Sequence, residues 1–575
     1  MNARTTFFGP LIVATYLLTA GCGGGGSSSA PAGAAPPPGP LFSVLTAPEA
    51  ASVKDDPAVY AVEQNRALQA TVVTFDGTYT FANVNADIDD TDAVEPEIDA
   101  HFVMEGYPND GRPTNATLRL RGSSTRLAEQ KSYRIKLASA AAAWRGEKTL
   151  QFNKHPYDLT RLRNKLAFDL FRDIPHIPSL HTQFVRMSIE NRNAAGVTYA
   201  AARDYGLFTH VEKMGKEYLT ARALPTDGNI YKAEDFQFRS DPRLAIDGTG
   251  KPVSKSEFEK VLALEADNDN HRKLITMLAE LNDPGTHFDT FFARYFDKAN
   301  YLTWLASNIL MGNRDTVNQN FALYQPNGSD KFYFLPWDYD ASFNFEDQPN
   351  EKADGPIYSS LQLTAANWWE IPLHQRFLQD PTHLEELKKA IDDIAGAYLT
   401  QAKITARING YLALVQPFIS TPPDSTFLPA ISATPVTEWA NEGARIATVI
   451  QTNRDRFFAA LETPMPFWQD VALDGASIGF DWDASVDLQG DPVTYTVTVS
   501  STPNFLTIQQ QLNATAQTAW TIPKLPNGVW YMKVTSRDSK GNVQIAFDVF
   551  TDGSDNNHFG VLAFQVTDTS VVTLN

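Results

Sequence analysis

Apolar and polar residues alternate through ATVVTFDG (70–77) and TYTFANVNA (78–86), a pattern that predicts paired strands. The same period of two returns in ATLRLRG (116–122) and KSYRIKL (131–137) around a polar connection, which reads as a hairpin with a long loop. Further on, the period lengthens to that of a helix in RLRNKLAFDLFRDI (161–174), from Ser254 to Leu264, in HRKLITMLAELN (271–282) and from about Asp297 to Met311. The middle of the chain is therefore of mixed α and β character. After about Pro464 the texture changes to short strands between Gly, Pro, Asn and Asp turns, as in DPVTYTVTVSS, TAWTIPKLPNG and VWYMKVTSRDSKGN, and predicts a small all-β sandwich.

One stretch holds several elements without filler. Leu302, Leu305, Ile309 and Leu310 share a helical face, and Gly312 is placed to end that helix in the left-handed conformation, delivering Asn313-Arg314-Asp315 as a loop. Phe321 to Gln325 then reads as a strand, Pro326 to Asp330 as a turn, and Lys331 to Leu335 as the returning strand that ends in Pro336-Trp337-Asp338-Tyr339-Asp340. Antiparallel pairing folds Asp338 back toward Asp315. Phosphoryl transfer needs such parts: a carboxylate to orient the acceptor, an amide oxygen and a second carboxylate on magnesium, and a lysine on the phosphates. Asp315 and Asn320 reproduce the D-x-x-x-x-N interval of the protein-kinase catalytic loop, and Asp338 stands where a kinase metal-binding Asp would stand.

Composition adds the frame. At 575 residues the chain is too long for one ordinary core. A net charge of −19 argues against a nucleic-acid footprint, which needs clustered Lys and Arg. Residues 1–22 carry Arg4, an apolar run from Leu11 to Leu18, and Thr19-Ala20-Gly21 before Cys22, the only cysteine. This reads as an export signal with a lipoprotein-type cleavage site, so that Cys22 becomes the lipidated residue and the protein is tethered to the outer membrane or cell surface. Residues 23–40, rich in Gly, Ser and Pro, form the tether, and 41–65 lead into a central domain over 66–462, followed by the sandwich over 466–575. With a single cysteine, disulfides do not staple these domains.

Four segments, RGSSTRLAEQKSYRIKL (121–137), GLFTHVEKM (206–214), NILMGNRDTVNQNFALYQ (308–325) and FYFLPWDYDASF (332–343), resemble in order the pattern of the CotH (spore coat protein H) kinase family. The resemblance implies an α+β, atypical protein-kinase-like domain that uses ATP and Mg2+. It also implies roles for particular residues. Gly122, Ser123 and Ser124, with Thr125 and Arg126, would cover phosphate; Lys136, or failing it Lys131, would be the phosphate lysine; and backbone groups from Glu212 to Met214 would line an adenine pocket, with Glu212 alternatively a structural partner. Asp315 would orient the acceptor, Asn320 and Asp338 would hold metal, and Asp340 is a second ligand or a loop carboxylate. The helix carrying Arg161, Arg163, Asn164 and Lys165 takes the place of the kinase regulatory helix, yet its early turns lack a glutamate to pair with the lysine. The C-terminal pieces resemble a fibronectin type III module with Trp482 and Tyr495 in its core and a turn at Asp487 to Asp491.

The function expected is transfer of phosphate from ATP to a Ser or Thr hydroxyl of a secreted or envelope protein. The alternative is a non-catalytic surface adhesin or scaffold, favoured by the scarcity of ATP outside the cytoplasm. Zinc and hydrolase readings find no H-E-x-x-H, paired-Cys or G-x-S-x-G motif, and the ten histidines are scattered.

Overall fold

The alternation in ATVVTFDG becomes strand β1 (Leu68–Phe75), but its predicted partner does not form a strand. Phe81–Ala86 is a helix, because Thr80 and Asn83 close a reciprocal cap: the Thr80 hydroxyl accepts from the Asn83 N–H, and the Asn83 side chain accepts from the Thr80 N–H. Strand β1 instead pairs antiparallel with β2 (Ile98–Met104) and parallel with β6 (Thr182–Arg192). The predicted hairpin is present as β3 (Ala116–Arg121) and β4 (Ser132–Leu137), paired from Ala116↔Leu137 to Arg121↔Ser132. With β5 (Thr149–Asn153) and β7 (Thr198–Val211) these strands close a barrel in the order β1-β2-β3-β4-β5-β7-β6. Its interior is filled by inward residues such as Val72, Phe102, Leu118, Ile135, Phe152 and Val185.

The coordinates are a computed structural model in which residues 41–88, 95–108, 111–349, 361–429 and 435–575 are described. Cys22, the export signal and the tether lie outside the described residues, and among those described no helix is long and apolar enough to cross a membrane. Phe42–Asn575 form one compact unit, and Val44 and Val53 of the lead-in are buried in its largest core.

The chain after the barrel forms a second, four-stranded sheet. It consists of β8 (Asn229–Ala233), β9 (Leu262–Ala266), β10 (Phe321–Gln325) and β11 (Tyr333–Pro336). The helix predicted from Ser254 to Leu264 stops at Glu259, and its last residues begin β9, which pairs with β8. Three other predicted helices are found, at Arg163–Phe171, Arg272–Leu281 and Lys298–Met311. All but the first residue of the last are buried, so that this helix forms the centre of the main core.

From Gln469 onward the chain is all β. The strands Gln469–Asp474, Ser477–Trp482 and Ala519–Pro523 form one sheet, and Ile508–Thr515, Thr494–Ser500, Gly528–Arg537, Val561–Val566 and Val571–Thr573 form another in that order. Trp482 and Tyr495 meet in the core between them with ring centroids 5.6 Å apart, and the turn at Asp487 closes through the Gly490 N–H on the Asp487 carbonyl.

Candidate active site

The Lys298–Met311 helix opens on Asp297, whose side chain accepts from the Asn300 N–H, and ends at Gly312 with φ +58°. A Cβ on Gly312 would come within 2.2 Å of Asn344 Oδ1, so both backbone angle and space demand glycine. The turn Arg314–Thr316 follows at once and presents Asp315. Arg314 is buried and ion-paired to Glu346, which holds the turn from beneath. Asp315 Oδ1 accepts from Gln319 Nε2 at 2.5 Å and Oδ2 from Asn320 Nδ2 at 2.8 Å. The D-x-x-x-x-N pair is thus a direct contact.

Strand β10 leaves from Asn320 and β11 returns with Phe321 opposite Pro336. That register brings Trp337 and Asp338 to the end of the hairpin where Asn320 sits. Asn320 and Asp338 both take positive φ, +56° and +50°, which non-glycine residues adopt at some cost and which here turns both side chains out of the strand path. Asp340 follows, with Oδ2 3.6 Å from His155 Nδ1.

These groups line a cleft of about 760 Å³, a volume within the range of small-molecule sites. Asp338 is pushed up to about 8, first by burial, then by the carboxylates of Asp340 and Asp315, against the pull of Arg121 and Lys232. Asp315 is raised as well, by burial and by Asp340, while its bonds from Gln319 and Asn320 hold it down. A cation placed between Asp315 and Asp338 would relieve the repulsion that helps raise both. Asn320, Asp338 and Asp340, which line the cleft together, could offer oxygen atoms, the kind of donor that magnesium prefers.

Across the cleft lies the outer face of the barrel. Arg119 and Arg121 of β3 and Arg134 of β4 line it, joined by Lys213 and by Lys232 of β8. Lys232 donates to Glu234 at 2.7 Å and lies 5.7 Å from the Trp337 ring centroid. Arg121 is drawn down by burial, while Asp338, Asp340 and Glu265 pull it back up. Arg119 falls to about 10 through burial and the neighbouring Arg134 and Arg126, and it is ion-paired to Glu95.

The loop after β3 also lines the cleft through Gly122, Ser123, Ser124, Thr125 and Arg126. Gly122 has φ +86°, and a Cβ there would meet Thr125 Oγ1 at 2.1 Å. The N–H groups of Arg126 and Leu127 close the turn on the carbonyls of Ser123 and Ser124. Arg126 is the anchor of this loop: buried, it donates to Asp87 at 2.6 Å, to the Gly122 carbonyl at 2.7 Å, and to Glu95.

The lysines read from the sequence are elsewhere. Lys136 is exposed and outside the cleft lining, and Lys131 Nζ donates to the Arg126 carbonyl. On β4 it is Ser132 and Arg134 that line the cleft; Tyr133, Ile135 and Leu137 fill the barrel. The Glu212 to Met214 segment likewise turns its groups inward. Glu212 forms a two-pronged ion pair with buried Arg222 at 2.9 and 2.8 Å, and its N–H donates to the His181 carbonyl. Met214 is buried in the main core, and only Lys213 of the three lines the cleft. In the Arg163–Phe171 helix, Arg163 pairs with Asp158 and Glu442 rather than with a cleft group. Sequence reasoning passed over Arg121, Arg134 and Lys232; the alternation in LRLR and YRIK was the signal available for the two arginines.

Residues 118–457, more than half of the chain, match the family model described as CotH kinase protein, and the chain belongs to that family. It is 29% identical over 229 residues to the inner spore coat protein H of Bacillus subtilis (strain 168), a match that takes in 39% of this chain and 57% of that protein. Among solved structures it is similar to the Shewanella oneidensis MR-1 toxin–antitoxin complex of HipA, HipB and operator DNA, at TM-score 0.26 and 12% identity over 66% of this chain and 79% of that one. Another is the Helicobacter pylori proinflammatory kinase CtkA, at TM-score 0.18 and 13% identity over 56% of this chain and 91% of that one.

Proposed function

We propose that the central domain catalyses magnesium-dependent phosphoryl transfer from ATP to a Ser or Thr hydroxyl of a secreted or envelope protein. The observation that carries this reading is the meeting of Asp315, Asn320 and Asp338 at one end of a hairpin, facing Arg121, Arg134 and Lys232 across a single cleft. Asp315, fixed by its two amide donors, orients the acceptor hydroxyl and takes its proton as the new bond forms. Arg121, Arg134 and Lys232 neutralise phosphate oxygens in place of the strand lysine, and the small residues of the Gly122 to Thr125 loop let backbone approach them closely. Asn320 and Asp338, with Asp340 beside them, would hold magnesium, which when bound spreads the charge of the transferred phosphate.

The Thr19 to Cys22 pattern supports export and lipid anchoring, which would place the acceptor outside the cytoplasm. The strand order of the C-terminal sheets, three strands facing a larger sheet around Trp482 and Tyr495, supports a fibronectin type III-like module that spaces or docks the kinase-like domain. The test is magnesium-dependent incorporation from labelled ATP by the purified chain beside Asp315→Ala and Asp338→Ala, with folding of each verified. Incorporation lost in both supports the reading. Absence of incorporation and of nucleotide binding in the parent chain would replace it with the adhesin or scaffold.

A further inference from the structure

At one end of the barrel three polar side chains converge away from the cleft. The registers Phe152↔His210 and Gln183↔His210 set the end of β7 between β5 and the start of β6. Glu147 stands two residues before β5, and His181 immediately precedes β6. A tight turn presents Glu147: Trp144 and Glu147 exchange both backbone hydrogen bonds, at 3.0 and 2.9 Å, while Arg145 and Gly146 between them take φ +50° and +88°.

Glu147, His181 and His210 are 5%, 2% and 0% exposed, and one ligand atom from each lies within 4.8 Å of the others. His181 Nδ1 is 3.7 Å and His210 Nε2 is 3.5 Å from the carboxylate oxygens they face. These separations are longer than those of well-formed hydrogen bonds. They are close to the spacing of about 3.3 Å between donors that share one tetrahedral zinc ion at ~2.05 Å. The fully buried ring of His210 packs against Trp144 and Phe152, and among the described residues the one charged group its Nε2 faces is the Glu147 carboxylate at 3.5 Å. A buried imidazole aimed at a carboxylate and a second imidazole, none of them joined by a short hydrogen bond, has the surroundings of a metal ligand.

We propose that Glu147, His181 and His210 bind one divalent late transition-metal ion at the barrel mouth, of the zinc class that two imidazoles and a carboxylate suit; calcium and magnesium prefer oxygen donors throughout. Arg145 gates the site. Its Nη1 lies 3.3 Å from His181 Nε2, and its guanidinium stacks 4.4 Å over Trp144. Metal on Nδ1 requires the His181 proton on Nε2, so the half-exposed Arg145 side chain must turn away when the ion enters. Glu147 Oε2 also accepts the Lys213 N–H at 3.2 Å, so an ion there would fix the backbone of a residue that lines the cleft.

The test is titration of the chelator-treated chain with cobalt(II), read by the visible bands of tetrahedral cobalt, and with zinc, read by metal content after dialysis. One equivalent is expected, lost in Glu147→Gln and His210→Ala, and bound several-fold more tightly in Arg145→Gln, which removes a positive charge and leaves the three ligands. Absence of the cobalt bands in the parent chain, or equal binding after His210→Ala, overturns the proposal. Should the ligand variants fail to fold, Arg145→Gln decides alone: unchanged or weaker binding overturns it.

Discussion

The two walls of the cleft were built by different means. On the carboxylate wall, Asp315, Asn320 and Asp338 stand together because a helix, its glycine stop, a turn and a hairpin follow one another in the chain, and the register Phe321↔Pro336 closes the gap. On the cationic wall, Arg121, Arg134 and Lys232 come from three strands in two sheets, and which of their side chains reach the cleft depends on how the barrel closes. The first wall is a local object, and the second is a product of packing.

The sharpest way to break this comparison is to remove the acidic wall. On the proposed reaction, Asp338→Ala and Asp315→Ala should each lower phosphoryl transfer about 10²–10³-fold, measured with labelled ATP, since each would remove a group at the reacting phosphate. Glu212→Ala should instead cost about 3 kcal/mol of stability, because it strips the two-pronged partner from buried Arg222 and leaves Asp55 at 3.1 Å to pair with it; denaturant unfolding would show this, and activity per folded molecule should fall far less. A large loss of nucleotide affinity without loss of stability would return Glu212 to the cleft.

Arg121→Ala should reduce nucleotide affinity roughly ten- to a hundredfold, the worth of a charged hydrogen bond to phosphate, whereas Lys136→Ala should change it by less than about twofold. The reverse ranking, read by isothermal titration, would put the lysine back on the phosphates and dissolve the contrast between the walls.

A smaller effect comes from the pH dependence of stability. Folding raises Asp338 to about 8, so the folded chain keeps a proton that the unfolded chain loses near pH 4. The stability this contributes is fully present below about pH 4 and is lost as pH rises through about 8. Asp338→Asn needs no proton, so without divalent cations its Tm should exceed that of the parent chain by a margin that opens between those values and then levels off. A margin independent of pH would mean that Asp338 ionises normally and that the acidic wall stores no charge repulsion.

Legibility followed the same division. The hairpin at β10 and β11, the helix stop at Gly312 and the buried pair Trp482 and Tyr495 could be read because pattern and turn chemistry act over a few residues. TYTFANVNA was read as a strand because its alternation is real, but the Thr80 and Asn83 cap competes for the same residues and wins. Glu212 was given a choice between the adenine pocket and a structural partner, and the partner, Arg222, is brought alongside by folding. Glu147, His181 and His210 were three among ten scattered histidines and many acids until strand ends gathered them.

By itself, then, the sequence determined the order of loops that supplies Asp315, Asn320 and Asp338, because neighbours in the chain need only a turn to meet. Tertiary structure alone decided which cations face them, which glutamate is a clamp and which histidines share a site. Those choices rest on barrel closure, which sets the face every strand residue presents, and on burial, which makes each charge find a partner.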